Sequence, residues 1–173
     1  EPEMVMAKAA KHGVVSKYPS VEALRAAYAF TDLQSFLDIY YQGAAVLHTE
    51  ADFYELMWAY LERSAADGVR HTEMFFDPQT HTERGIGFPV FMAGFARARA
   101  DAAERLGISS HLIMCFLRHL PEEAALETLG QARPFLGEIV AVGLDSGERG
   151  NPPQKFTTAF ARARAAGLRA VAH

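Results

Sequence analysis

The pattern of apolar and polar positions changes character near Gly68. Before it, apolar residues recur at helical spacing: Leu33, Phe36, Leu37 and Tyr40 in one stretch, then Phe53, Leu56, Met57, Tyr60 and Leu61 in the next. Such spacing places each set on one face of a helix. It predicts a helix over 1–12 ended by Gly13, and a second over 20–27 after the loop through Tyr18-Pro19. A third spans 31–41, opened by the capping-box pattern Thr31-Asp32-Leu33-Gln34, and a fourth runs from Thr49 or Glu50 to Asp67-Gly68. Tyr54 and Trp58 lie off the last stripe, so that helix is expected to be covered on two sides.

After Gly68, short apolar segments at 69–76, 111–117, 139–144 and 168–172 alternate with amphipathic stretches at 88–106, 121–132 and 154–166. Near-continuous apolar strands separated by helices indicate a parallel sheet buried on both faces. Four such strands fit half of a (β/α)8 barrel or an open doubly wound sheet, and spacing alone does not choose. The polar residues do. Each strand leads to a cluster at its carboxyl end: Asp77-Pro78-Gln79-Thr80-His81, then Arg118-His119, then Asp145-Ser146-Gly147-Glu148, and finally His173. Parallel strands put all these ends on one rim around one pocket. No Gly-x-Gly-x-x-Gly, phosphate-cradling loop or Gly-x-Ser-x-Gly elbow is present, which argues against nucleotide-binding folds and serine hydrolases. The expected fold class is α/β, a partial (β/α)8 TIM-type barrel of about half the strands with an added N-terminal helical segment. It is read as a single domain over 1–173, with a helical segment at 1–67 that holds a candidate lid helix and β/α units over 68–173.

Each rim residue also has a plainer use. Asp77 before Pro78 suits a turn, and His81 suits a solvated loop. Arg118 and His119 can hydrogen-bond their own loop, and Asp145-Ser146 can cap the turn that follows. His173 taken alone is more often a satisfied core histidine than a ligand. His12, His48, His71 and His111 carry no functional signal.

Composition narrows the partners. The 17 Lys and Arg are scattered among 21 Asp and Glu for a net charge of -4, which is no nucleic-acid footprint. The densest basic stretch, 162–169, has the spacing of a solvated helix end. No apolar run approaches the ~18 residues of a membrane span, and no secretory signal opens the sequence. The lone cysteine, Cys115, lies inside an apolar run, so it is expected to be a small buried hydrophobe in a reducing compartment, with a cytoplasmic location. A run that stops on the strand-terminal His173 reads as the middle of a larger protein.

Four segments carry a resemblance: Phe75-Phe76-Asp77-Pro78-Gln79-Thr80-His81, Phe116-Leu117-Arg118-His119-Leu120, Val142-Gly143-Leu144-Asp145-Ser146 and Val171-Ala172-His173. In order and spacing they resemble the adenosine/adenine deaminase family, and the first segment and the short 145–152 loop look like its adenine deaminase branch. The resemblance implies a zinc-dependent (β/α)8 barrel that hydrolyses the 6-amino group of a purine. Water activated by zinc adds to C6, a carboxylic acid protonates N1, and ammonia leaves. Zinc is needed because the pKa of water must fall from 15.7 to ~7 to supply hydroxide at neutral pH. Of the family's metal ligands only one maps here, onto His173, and the general-acid Glu is expected just after it. These 173 residues alone are therefore expected to be inert.

Substrate contacts are expected from Asp145, Ser146 and Gly147 as the wall that recognises the purine ring, joined by Phe76, Asp77, Arg118 and His119. The aromatic pair Phe75-Phe76 and the short 145–153 loop leave little room for a ribose, so the expected substrate is the free base adenine. Adenosine, an N6-substituted purine, or a purine-binding barrel without catalysis are the other readings.

Overall fold

Four parallel strands lie side by side in chain order: β1 (His71–Phe76), β2 (Ser109–Leu117), β3 (Ile139–Asp145) and β4 (Arg169–Ala170). This is the arrangement in a computed structural model that describes residues 1–172; His173, the expected metal ligand, lies outside the described residues. The pairings run His71 to Ser109, Met114 to Val142 and Ala141 to Arg169, with one register shift at Leu112/Ile113. Strand neighbours that follow one another in sequence, joined through helices, are the progression of a (β/α)8 barrel.

The helices before the sheet are α1 (Pro2–His12), α2 (Val21–Ala27), α3 (Leu33–Ala44) and α4 (Glu50–Ala66). Between and after the strands come α5 (Pro78–Thr82), α6 (Phe88–Leu106), α7 (Glu122–Gln131) and α8 (Thr157–Ala165). The third helix opens one residue later than the sequence pattern predicts. Asp32, not Thr31, is the cap, and Ser35 rather than Gln34 closes the box, because the Asp32 carboxylate reaches the Ser35 amide at 2.8 Å. The stretch expected as one helix over 154–166 is instead a 3-10 turn at Pro153–Phe156 followed by α8.

The sheet has two apolar faces. Leu112, Met114, Phe116, Val142 and Leu144 point to the helices and join Phe53, Leu61, Phe91 and Phe95 in the main core. Ile113, Cys115 and Ala141 point the other way, into the barrel interior, with Val171 against them. Alternation along each strand assigns the faces. Helix α4 lies tightly on α6 because Gly94 has no side chain: a Cβ there would stand 2.5 Å from the Glu50 carbonyl oxygen and 2.8 Å from Phe53 Cβ. The second side of α4 is covered as its off-stripe aromatics suggest, with Arg97 over the Tyr54 ring and Arg105 over Trp58.

A buried ionic hub ties α1 to the start of α4. Asp52 is fully buried and accepts from the Lys8 and Lys11 ammonium groups at 3.0 Å each, and its other oxygen lies 2.7 Å from His12 Nε2. Burial alone would raise the Asp52 pKa. The hydrogen bonds from Lys8, the Thr49 amide, Lys11 and the Thr49 hydroxyl outweigh it and hold the carboxyl well below its usual range.

Candidate active site

The carboxyl ends of β1, β2 and β3 bring together side chains that are 30 to 68 positions apart in sequence: Asp77, Cys115 and Asp145, whose polar atoms lie within 4.8 Å of one another. Asp77 directly follows β1 and is the cap position of α5, yet its carboxylate makes no capping bond. It faces α3, where the Tyr40 phenol donates to Oδ2 at 2.8 Å. Burial pushes the Asp77 carboxyl up to about 8, with the Asp145 charge and the hydrogen bond the two acids form adding to the rise, while the Tyr40 bond opposes it. Near neutral pH the site therefore keeps a proton on Asp77, which can act as a donor. Burial foremost keeps the Tyr40 phenol protonated; the residue is 40% exposed, but its hydroxyl end meets the buried acid.

Cys115 is the small buried residue expected from its apolar run, and its position adds what the run does not reveal. Burial raises its thiol pKa far above the ordinary value, and the charges of Asp145 and Asp77 raise it further. The three donors are types that zinc accepts, but as a zinc site the group does not fit: Asp77 and Cys115 hold their protons, and Tyr40 occupies one Asp77 oxygen.

The predicted rim residues divide between two cavities. One, of about 500 Å³, is apolar and lies between α1, α3, α4 and β1, with Phe36, Tyr40, Phe75, Asp77 and His81 in its wall. The other, of about 670 Å³, is more polar and holds Tyr41, His119, Ser146, Gly147 and Asn151. Neighbouring tyrosines of α3 thus face different spaces. The Ser146 hydroxyl accepts from Tyr41 at 3.1 Å and lies 2.8 Å from His119 Nδ1. Ser146 has φ of +78°, the left-handed region that a non-glycine residue seldom enters, so the chain after β3 is strained where the rim turns.

Three residues are used otherwise than the sequence suggests. Phe76 packs on Phe91 and Phe95 in the helix-side core, with ring centroids 6.2 and 5.7 Å away. Phe75 holds the interior position instead, because strand parity puts odd-numbered residues of β1 on that face. Arg118 turns away into its loop, where Nε donates to the Asn151 carbonyl at 2.9 Å and the guanidinium lies 3.5 Å from Glu148. His81 is no solvated loop residue: it is buried in α5 edge-on to Phe53, and burial followed by the Arg84 charge lowers its pKa to about 4. Gln79, which the sequence reading leaves without a role, accepts from the Leu117 amide at 2.7 Å and closes the end of β2.

Parallel strands with acids, a serine and tyrosines at their carboxyl ends form half of a (β/α)8 barrel, with polar groups on the rim where such barrels carry their sites. The chain belongs to the Adenosine deaminase family, whose family model matches residues 1–173. It is 60% identical, over all 173 of its residues, to an adenine deaminase of Cupriavidus necator, of which it covers 49%. Among solved structures it resembles the adenine deaminase of Arthrobacter aurescens, with a TM-score of 0.95, 49% identity, and coverage of 100% of this chain and 53% of that one. An amidohydrolase of Burkholderia ambifaria with bound Zn has a TM-score of 0.86 at 26% identity, over 100% of this chain and 48% of that one. The chain spans about half the length of the relatives it matches. The expected partial barrel is therefore the fold, and no helix among the described residues is long and apolar enough to cross a membrane.

Proposed function

We propose that this chain forms part of a zinc-dependent hydrolase that converts adenine and water to hypoxanthine and ammonia. The observation that carries the proposal is identity of 57 to 60% across the whole chain with proteins named adenine deaminase. In this reading residues 1–173 act as one unit of the barrel. The buried single thiol suits a reducing cytoplasmic setting.

Zinc, held with His173 as one ligand, supplies hydroxide at neutral pH when bound. The chain's own residues bind and orient the base. Asp77 and Asp145, with one proton between them, offer a donor beside an acceptor, which complements the paired nitrogens of a purine edge. Phe75 and Phe36 give the planar ring apolar walls in the first cavity, while Ser146 and Gly147 line the second, on the Tyr41 side of α3. Helix α3 lies over the acids and keeps bulk water from the shared proton. In this reading the oxygen of water would bond to C6 as N1 takes a proton, expected from an acid following His173; the proton of the new hydroxyl then passes to the amino nitrogen, the C6–N bond breaks, and ammonia leaves the 6-oxopurine.

A free base is favoured over a nucleoside because the rim has little left to read ribose hydroxyls. Arg118 Nε is engaged by the Asn151 carbonyl and His119 by Ser146, which leaves one buried guanidinium nitrogen of Arg118, 3.5 Å from Glu148, without a hydrogen bond. A site built for hydroxyls discriminates through polar groups kept for them. Measuring kcat/KM for adenine and adenosine with the full-length zinc-loaded protein tests the proposal: preference for adenine supports it, and preference for adenosine, or no turnover of either, overturns it.

A further inference from the structure

Helix α3 carries Tyr40 to Asp77, but the helix lies outside the main core and has few polar ties to the rest of the fold. Among the described residues its hydrogen bonds to other elements are the Tyr40 and Tyr41 phenols and a set made at its end by Arg84. The last turn of α3 contains no basic residue of its own, so its terminal carbonyls lack the cation that commonly offsets them. Arg84, just beyond α5, fills that place from another part of the chain. Its guanidinium donates to the carbonyls of Ala44 and Ala45 at 3.1 Å and of Leu47 at 3.0 Å. The same group is fixed from behind by the Thr80 carbonyl at 3.2 Å and His81 Nδ1 at 3.1 Å.

Low His81 basicity fits that last contact, since a neutral imidazole accepts where a protonated one repels. Residues 40 and 44 are one turn apart on a helix, on the same face. A displacement at the capped end is therefore passed to the Tyr40 side chain by the rigid helix between them. Lysine cannot replace the arginine here. One ammonium offers three protons from a point, whereas the planar fork reaches acceptors spread across two chain segments.

We infer that Arg84 is a positioning residue, which caps the C-terminal carbonyls of α3 and thereby sets the Tyr40 phenol on Asp77. The inference rests on the proposed deaminase reading for its kinetic consequence, but its structural half does not. The test compares full-length wild type, Arg84→Lys, Tyr40→Phe and the double variant, by kcat/KM on adenine and by hydrogen exchange of the amides of α3, α4 and α6. Each single variant is expected to lose about tenfold in kcat/KM, the scale of a modest misplacement, and the double variant is expected to lose no more than about tenfold, because both changes remove the same contact. Arg84→Lys is expected to speed exchange in α3 at least tenfold while α6 is unchanged.

A multiplicative loss in the double variant, or unchanged α3 exchange, overturns the inference. If Arg84→Lys does not fold, Arg84→Gln, whose shorter amide stops short of the Ala44 and Ala45 carbonyls, is held to the same two outcomes. If the wild type fails to turn over adenine, the deaminase proposal falls, and the exchange comparison still decides the role of Arg84.

Discussion

The Tyr40 phenol donates to Asp77 Oδ2 at 2.8 Å, joining the third helix to the end of the first strand. One consequence concerns catalysis. Tyr40→Phe removes a donor from a carboxyl group buried at the rim. Asp77→Asn removes the acidic proton itself. Each is expected to lower kcat/KM on adenine by roughly 10 to 100-fold, the scale of one polar contact to a buried group. Steady-state kinetics of the full-length enzyme check this, and unchanged values for both variants would show that the pair only braces α3.

The same acid gives a pH signature. The folded-state pKa of Asp77 is raised, to about 8, above the ordinary 3.8 of the unfolded chain. The folded protein therefore binds more protons than the unfolded one between those values, so this group's contribution to stability is full below about pH 4 and falls as pH rises toward 8. In thermal melts of the full-length protein, Tm of wild type relative to Asp77→Asn is expected to decline between pH 5 and 8, approximate bounds set by that window. A flat difference would mean the carboxyl is ionised throughout.

Asp52 predicts the opposite slope. Its folded pKa is depressed, so its contribution is present above the ordinary carboxylate range and is lost as pH falls through the folded value. Asp52→Ala leaves the buried Lys8 ammonium with the half-exposed Glu55 as its carboxylate partner and removes the acceptor at the start of α4, a change expected to cost about 1 to 3 kcal/mol. Urea unfolding measures it, and a loss under ~1 kcal/mol would show that Lys8 turns wholly to Glu55.

Cys115 is expected to be inert while the protein is folded, because reactive sulfur is thiolate and this thiol is buried beside two acids. Titration with a chromogenic disulfide is expected to detect no free thiol at Cys115 in native protein and to find it in denaturant. Rapid native labelling would show that the strand interior opens.

Two rim substitutions test the remaining assignments. His173→Ala is expected to remove bound zinc and turnover together, read by metal analysis alongside kinetics. Asp145→Asn is expected to retain zinc while kcat/KM falls roughly 10 to 100-fold. Zinc retained in the first, or lost in the second, reverses the roles given to these residues.

What sequence periodicity reveals here is what lies within one element. The span Phe88–Leu106 matches its predicted helix at both ends, because Pro89 sets its first turn and Gly107, at φ +67°, ends it. Helix α5 escapes such a reading. Asp77-Pro78 has the chemistry of a turn, and the burial of Gln79 and His81 comes from β2 and α4, which no local pattern contains. Phe75 and Phe76 are equivalent in composition, and only strand parity separates the interior face from the helix-side core, although both line the apolar cavity. The acids at 77 and 145 are individually visible as strand-end residues, yet their shared proton depends on the register that brings β1, β2 and β3 level. The Arg84 cap is still less legible, since an arginine in a polar loop gives no sign of the helix end it meets.

The strand order leaves a mechanical consequence at its two margins. In a sheet ordered β1-β2-β3-β4, each inner strand finds partners on both sides, while the outer sides of β1 and β4 present backbone donors and acceptors that no described strand meets. Such edges template the addition of further chains, and the 38% exposed Phe75 beside one of them adds an adhesive surface. Expressed alone, residues 1–173 are expected to self-associate through strand addition, and a proline placed at Glu73, whose N–H faces the open edge because the Arg70 carbonyl and the even positions after it face β2, would suppress assembly before it altered the core.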